Sequence, residues 1–444
     1  MKKKIIIFLI ILTIIPIISF WIIVSGGYDK QNRTILFLKE VIPLPLARKI
    51  RDSVFFIPKL QDRNKFLEIQ LKKFEQGLEG NIFFDGTAKS KQNEYSFKKF
   101  FLPFPSLDQS LGWNAKKNSL RAHYLEIVDD NIFVISGEGK TIFFDKKNIF
   151  KKKLDQKEIK NNLKSNIESK GNFLGAIRDM YYENNFIYLS VVELIDNKST
   201  LNIYRAEKNL KFLNFKVFFE TKEYNDEGNI LQSGGRIEEF NSEEILLSIG
   251  FFQKYDKAQD ESSIFGKIIS INKENRNFTL RSKGHRNPQG LFYWKDKNII
   301  INSEHGPKGG DEINFNILSD VSIKDFGWPK SSYGEPYGKF AGSIFEERGY
   351  LKKSHSDYGF VEPIKYFTPS IAISEIFLNK DKIYVSSLRA ESIYILRVLD
   401  NLKVEMIERV NLKNRIRDLK YDNENDLFFV ILENTPSFGV VKFN

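Results

Sequence analysis

Between Gly284 and Gly338 the chain reads GHRNPQGLFYWKDKNIIINSEHGPKGGDEINFN, then a spacer, then FGWPKSSYGEPYG. Two of the four histidines, His285 and His305, stand there with an Arg-Asn pair (Arg286, Asn287) and a Gly-Pro step (Gly306, Pro307), around one β-like run, Lys297 to Ser303. Gly and Pro free or fix φ as other residues do not, so turns this dense aim backbone carbonyls and amides in set directions. Turn chemistry alone accounts for any one of these residues. Their crowding at both ends of a single strand marks a sheet end built as a site.

A site of that kind needs a rigid frame. From about Leu120 onward the sequence carries β runs behind polar turns, and six recur: Asn131 to Ser136, Asn185 to Ser190, Glu244 to Ile249, Asn298 to Ser303, Lys382 to Leu388 and Asp426 to Leu432. Their starts lie 54, 59, 54, 84 and 44 residues apart. A near-periodic run of short strands predicts a repeat architecture closed into a ring, which protects sheet edges. The expected class is all-β, a six-bladed β-propeller over residues 101–444. The longest gap holds the FGWP and SYGEPYG loops, an insertion over the binding face. Residues 28–100 are expected to form a short helical or irregular extension. In it Leu67, Leu71, Phe74 and Leu78 fall on one helical face, and fewer than three heptads argue against a coiled coil.

Lys2, Lys3 and Lys4 precede an uncharged run, Ile5 to Val24, long enough at helical rise to cross a bilayer core of about 30 Å. Residues 1–27 therefore read as a transmembrane anchor, with the lysines cytoplasmic and the rest on the extracytoplasmic (periplasmic) side. The exit Val24-Ser25-Gly26-Gly27 leaves cleavage and secretion as the alternative. The net charge of +11 permits a polyanionic partner, but the lysines are scattered through turns such as 146–153, and no nucleic-acid motif accompanies them. Nucleic acid is not expected as a partner. With no cysteine there is no disulfide framework and no thiolate chemistry.

GHRNPQGL (Gly284 to Leu291), SEHGPKGGDEIN (Ser303 to Asn314), FGWP (Phe326 to Pro329) and SYGEPYG (Ser332 to Gly338), in that order, resemble the glucose/sorbosone dehydrogenase family. The likeness extends more faintly over roughly Asn118 to Asn444. It implies a six-bladed propeller using pyrroloquinoline quinone (PQQ) with Ca²⁺, and oxidation of an aldose at the anomeric carbon to a lactone, with an unknown electron acceptor. PQQ bears three carboxylates, which arginine forks bind bidentately. By this resemblance Arg286, Asn287, His305, Arg389, Arg415 and Arg417 line the cofactor, Gln289 supports the turn, and the carbonyls of Gly306 and Pro307 ligate Ca²⁺. Read without the family, Arg389 is a surface residue, and Arg415 and Arg417, two apart on a strand, share one face. Asp311 and Glu312 satisfy loop amides, stand behind the metal or form a separate cation site; His285 is structural.

One segment departs from the family. Where its general-base histidine lies, the chain has GNFLGAIRDMYYENNFIYLS, with Arg178 at the base position and Asp179 next to it. Arginine holds its proton at any physiological pH. Asp179 is then the candidate catalytic residue, His123 a more distant one, and a site with no base the third case. Three functions follow: a membrane-anchored sugar dehydrogenase, a non-catalytic propeller binding a sugar, quinone or partner, and a metal-dependent lactone hydrolase, for which no Glu/Asn/Asp ligand motif is recognisable.

Overall fold

A computed structural model describes residues 80–104, 122–319, 322–337 and 345–443. The expected anchor (1–27) and the Asp62 to Glu79 helix lie outside these residues. Among the described residues no helix is long and apolar enough to cross a membrane. Among the described residues nearly all regular structure is antiparallel strand, with a short α-helix at Leu163–Glu168.

Each of the six apolar runs forms the second strand of an up-and-down meander. They are Asn131–Ser136, Phe186–Ile195, Glu244–Ile249, Ile299–Glu304, Lys382–Ser387 and Leu427–Leu432. Both faces of such a strand are covered, as the full burial of Ile299–Glu304 and Leu427–Leu432 shows. That is why the runs read as continuous rather than alternating. The core lies between neighbouring sheets: Phe133 and Ile135 meet Ile177 and Leu189, and Leu201 and Ile203 meet Ile245 and Leu247. Each fully buried side chain of this kind contributes about 1.5–3 kcal/mol.

The strands make five hydrogen-bonded sheets in a propeller-like array. Four span 123–161, 173–220, 234–283 and 288–367, with short outer strands added to two of them. The fifth has nine strands and joins the meanders of 373–411 and 416–442 through a hairpin, Ile82–Lys89 and Glu94–Phe101. Its link to the first meander is one residue pair, Lys89 with Asn411, whereas Glu94–Phe101 pairs along the whole of Ser437–Lys442. The expected extension of 28–100 is corrected here: residues 82–101 are sheet, because the Ser437–Lys442 edge offers them a ladder that local sequence does not reveal.

The first strands of the meanders are His123–Val128, Phe173–Glu183, Gly234–Glu239, Pro288–Trp294, Ile373–Asn379 and Ile416–Asp422. Each touches the next, and the last returns to the first, so they surround a common axis. Five of the six break register: at 177/179, 234/237, 288/290, 373/376 and 416/418. A bulge leaves a residue out of the ladder and re-aims its side chain. The residues freed are Arg178, Gly235 with Arg236, Gln289, Ser374 with Glu375, and Arg417.

Candidate functional site

The bulges bring Arg178, Gln289 and Arg417 to one end of the axis. Arg417 donates from Nη1 to Gln289 Oε1 at 3.2 Å. Arg178 donates from Nη2 to the Ile230 carbonyl at 2.6 Å, and its buried charge feels Arg417 as a repulsive neighbour. Gly235, at φ +116°, makes this placement available, since a Cβ there would overlap the Arg178 side chain.

Arg415 and Arg417 both lean on Glu433, which is 1% exposed. Arg415 Nε meets Oε2 at 2.9 Å and Arg417 Nε meets Oε1 at 2.6 Å. Burial alone would raise the Glu433 carboxyl, yet the two guanidinium charges hold it below its ordinary range. One carboxylate thus orients two cations through their Nε groups and leaves a net positive charge.

Arg286 has no such partner. It is buried, donates from Nη1 to the His305 carbonyl at 2.8 Å, and lies over the rings of Trp328 (5.2 Å) and Phe251 (5.9 Å). No carboxylate pairs with it among the described residues, and its Nε has no hydrogen-bond partner. His305 follows from the same strand end: its N–H donates to the Asn287 carbonyl at 3.1 Å, and its ring Nε2 is buried without a partner. Burial, then Arg286, Arg417 and Arg415, push its pKa down to about 3, so the imidazole is neutral at ordinary pH. Arg286 thus touches His305 directly, while Arg417 and Arg415 act on its ring through their charge. Arg389 is placed by its backbone N–H, which donates to the Ile371 carbonyl at 3.0 Å.

Asn287 is held by Gly234 N–H and Gln289 Nε2, both at 3.2 Å from its Oδ1. The Pro307 carbonyl accepts from Gly310 N–H and Ser370 Oγ, each at 3.2 Å. Asp311 accepts from the amides of Gly306 and Ile373, as expected of a loop-satisfying carboxylate. His285 is fully buried between Ser282 Oγ (2.8 Å) and Glu304 Oε2 (2.9 Å) against Phe326, a structural position.

Asp179 is not a free base. It is 1% exposed, and its Oδ1 receives Arg236 Nη1 at 2.8 Å while Oδ2 receives the Ile237 amide at 2.8 Å. Arg236 Nη1 also meets Glu375 Oε2 and Asp418 Oδ1, each at 2.8 Å, so what looks like a metal-ready trio of acids is filled by a guanidinium. The catalytic assignment of Asp179 gives way for that reason. His123 is buried against Phe104 in the first inner strand and is no better exposed. Arg236 and Glu433, central to this architecture, were missed in the sequence. A charged residue directly after Gly-Gly and another ending a fully apolar strand were the available signals.

The profile of the family described as "Glucose / Sorbosone dehydrogenase" matches residues 123–437. The chain belongs to this family. It is 26% identical over 248 residues to a protein named aldose sugar dehydrogenase YliI of Escherichia coli, a match spanning 51% of this chain and 63% of that one. Two solved structures share the family's propeller-like fold with it. The apo soluble aldose sugar dehydrogenase of Escherichia coli superposes at a TM-score of 0.56 with 20% identity, over 72% of this chain and 95% of its own. The PQQ-bound aldose sugar dehydrogenase of Streptomyces coelicolor gives 0.53 with 17% identity, over 72% and 92%. The family match begins at the first inner strand, so it takes in every bulge that forms the site.

Proposed function

We propose that the chain is a PQQ- and calcium-dependent dehydrogenase that oxidises an aldose at its anomeric carbon to the lactone. Its frame is a six-bladed propeller, the nine-stranded sheet counting as two blades joined at Lys89 and Asn411. The apolar segment at 5–24 would hold it at the extracytoplasmic face of a membrane, or be cleaved to release it. Family membership and the PQQ-bound relative support the cofactor.

One observation carries the reading: the buried Arg286 guanidinium has no carboxylate of its own. An unpaired buried charge costs several kcal/mol, and a ligand carboxylate is the group that would offset it. Arg286, Arg389, Arg415 and Arg417 would take the three carboxylates, with Asn287 and Gln289 fixing the turn. The donor set therefore fits PQQ. It fits Ca²⁺ less completely, because the Pro307 carbonyl is already engaged twice and Asp311 is turned to backbone amides. Calcium at Gly306 and Pro307 would displace one of those 3.2 Å bonds.

Bound, PQQ supplies a two-electron acceptor for the anomeric hydride. The hydroxyl proton then needs a base. His305, neutral and with Nε2 unengaged, is the imidazole facing the arginines, and it gains basicity as anionic carboxylates neutralise them. A second reading rests on Arg178 at the family's base position: a pocket that binds without turnover.

The test is reconstitution of the chain with PQQ, with and without Ca²⁺, following cofactor absorbance and dye reduction on a panel of aldoses. Uptake with turnover is expected. Uptake without turnover favours the binding reading, and an Arg178→His variant that gains activity locates the defect. No uptake overturns both.

A further inference from the structure

Away from the axis, a cavity of about 550 Å³ opens between the outer strands of the 173–220 sheet and the 272–278 turn of the next. Its wall is a layer of rings and guanidinium groups. Arg205 Cζ lies 4.4 Å from the Phe186 ring centre and 5.2 Å from that of Phe218, and Arg276 Cζ lies 4.1 Å from Phe218. Arg205 stands across from Lys216 on the neighbouring strand, so the two cations are held at the same level. Arg276 reaches in from its turn at φ +66°.

The charges do not balance. No carboxylate pairs with Arg205 or Arg276 among the described residues, and Arg276 feels Arg205 as a repulsive neighbour. Glu207, the one acid on the wall, accepts from Asn185, while Lys208 is spent on Asp129. Ring faces cover both guanidinium planes, Arg205 also meets the Tyr188 phenol, and Arg276 Nη1 is buried with no hydrogen-bond partner; a guanidinium fork with donors to spare is the group that grips an oxyanion with two parallel bonds. Phe212, 45% exposed, supplies an apolar side to the same opening.

We propose that this groove binds a small ligand bearing an oxyanion, carboxylate or phosphate, held by Arg205, Arg276 and Lys216 with its apolar part on Phe212. It lies on different elements from the arginine pocket at the axis and does not depend on the dehydrogenase reading.

Titration calorimetry of the full chain with pyrophosphate and, separately, citrate tests it and tells the two anion chemistries apart. Saturable binding is expected, weakened as salt rises from about 50 to 200 mM. Arg205→Gln with Arg276→Gln should weaken it about a hundredfold, about tenfold for each arginine. Arg205→Lys with Arg276→Lys should fall between, because charge survives and the fork is lost. If the double glutamine variant does not fold, Arg276→Gln alone, in a surface turn, carries the test. Absence of binding by both anions at about 10 mM, or affinity unchanged in the folded variants, overturns the proposal.

Discussion

Replacing Arg286 with methionine separates a ligand-binding cation from a structural one. The substitution keeps an unbranched side chain and removes the charge. The folded protein loses a charge-assisted bond to the His305 carbonyl, worth about 1.5–3 kcal/mol, and contacts with Trp328 and Phe251 worth about 1–2 kcal/mol together. Against this it is relieved of a buried, unpaired charge whose effective penalty is several kcal/mol. The terms offset to within about 2 kcal/mol, so the melting temperature without cofactor should move by only a few degrees. Cofactor binding has no such compensation. Loss of one partner from a buried charge pair costs about 2–5 kcal/mol, or about 30- to 5,000-fold in affinity. Differential scanning fluorimetry and PQQ titration by absorbance measure the two quantities on one sample. A melting temperature lowered by more than about 10 °C, with PQQ affinity retained, would show that Arg286 serves the fold and would refute the reasoning.

Glu433→Gln leaves the shape intact but takes the charge from between Arg415 and Arg417, so thermal stability should fall by about 3–5 kcal/mol and PQQ affinity should fall with it; an unchanged melting curve would deny Glu433 its orienting role. Gly235→Ala strains a φ of +116° and strikes Arg178; a loss of about 2 kcal/mol or more in denaturant unfolding is expected, where a tolerated alanine gives none. Burial raises Glu238 from its ordinary 4.5 to about 8, so the folded chain keeps a proton that the unfolded chain has lost. The stability this represents is full below pH 4.5 and is lost as pH rises through about 8. Urea midpoints at pH 5 and pH 8 should therefore diverge more in the parent than in Glu238→Gln, by on the order of 2 kcal/mol after allowance for its partial exposure. Asp179→Asn should destabilise the protein, since it unbalances Arg236, rather than depress turnover selectively in a protein of unchanged stability; kcat against melting temperature distinguishes these.

The second strands were legible because burial on both faces writes itself as an unbroken apolar run, as in Leu427–Leu432. The arginine pair of NRIRDL was legible from its spacing, although only the structure shows both side chains reaching Glu433. What could not be read is the register. Whether Arg178 faces the site or the core depends on the slip between Ile177 and Asp179, which the partner strand imposes and local sequence does not encode. The same slip sends Asp179 to Arg236, so its neighbour in sequence takes an opposite role in space. Glu94–Phe101 escaped for a related reason: its ladder partner, Ser437–Lys442, is remote in sequence.

That partnership has a cost in time. Ser96 pairs with Lys442, so the ring cannot shut until the chain has been synthesised through residue 442, and the earlier sheets must wait with one flank open. A fragment begun at residue 101, the boundary that sequence alone suggests, would lack this seam and leave Ser437–Lys442 as a bare edge, a template for pairing with another copy. Any working version of the protein must carry the hairpin of 82–101.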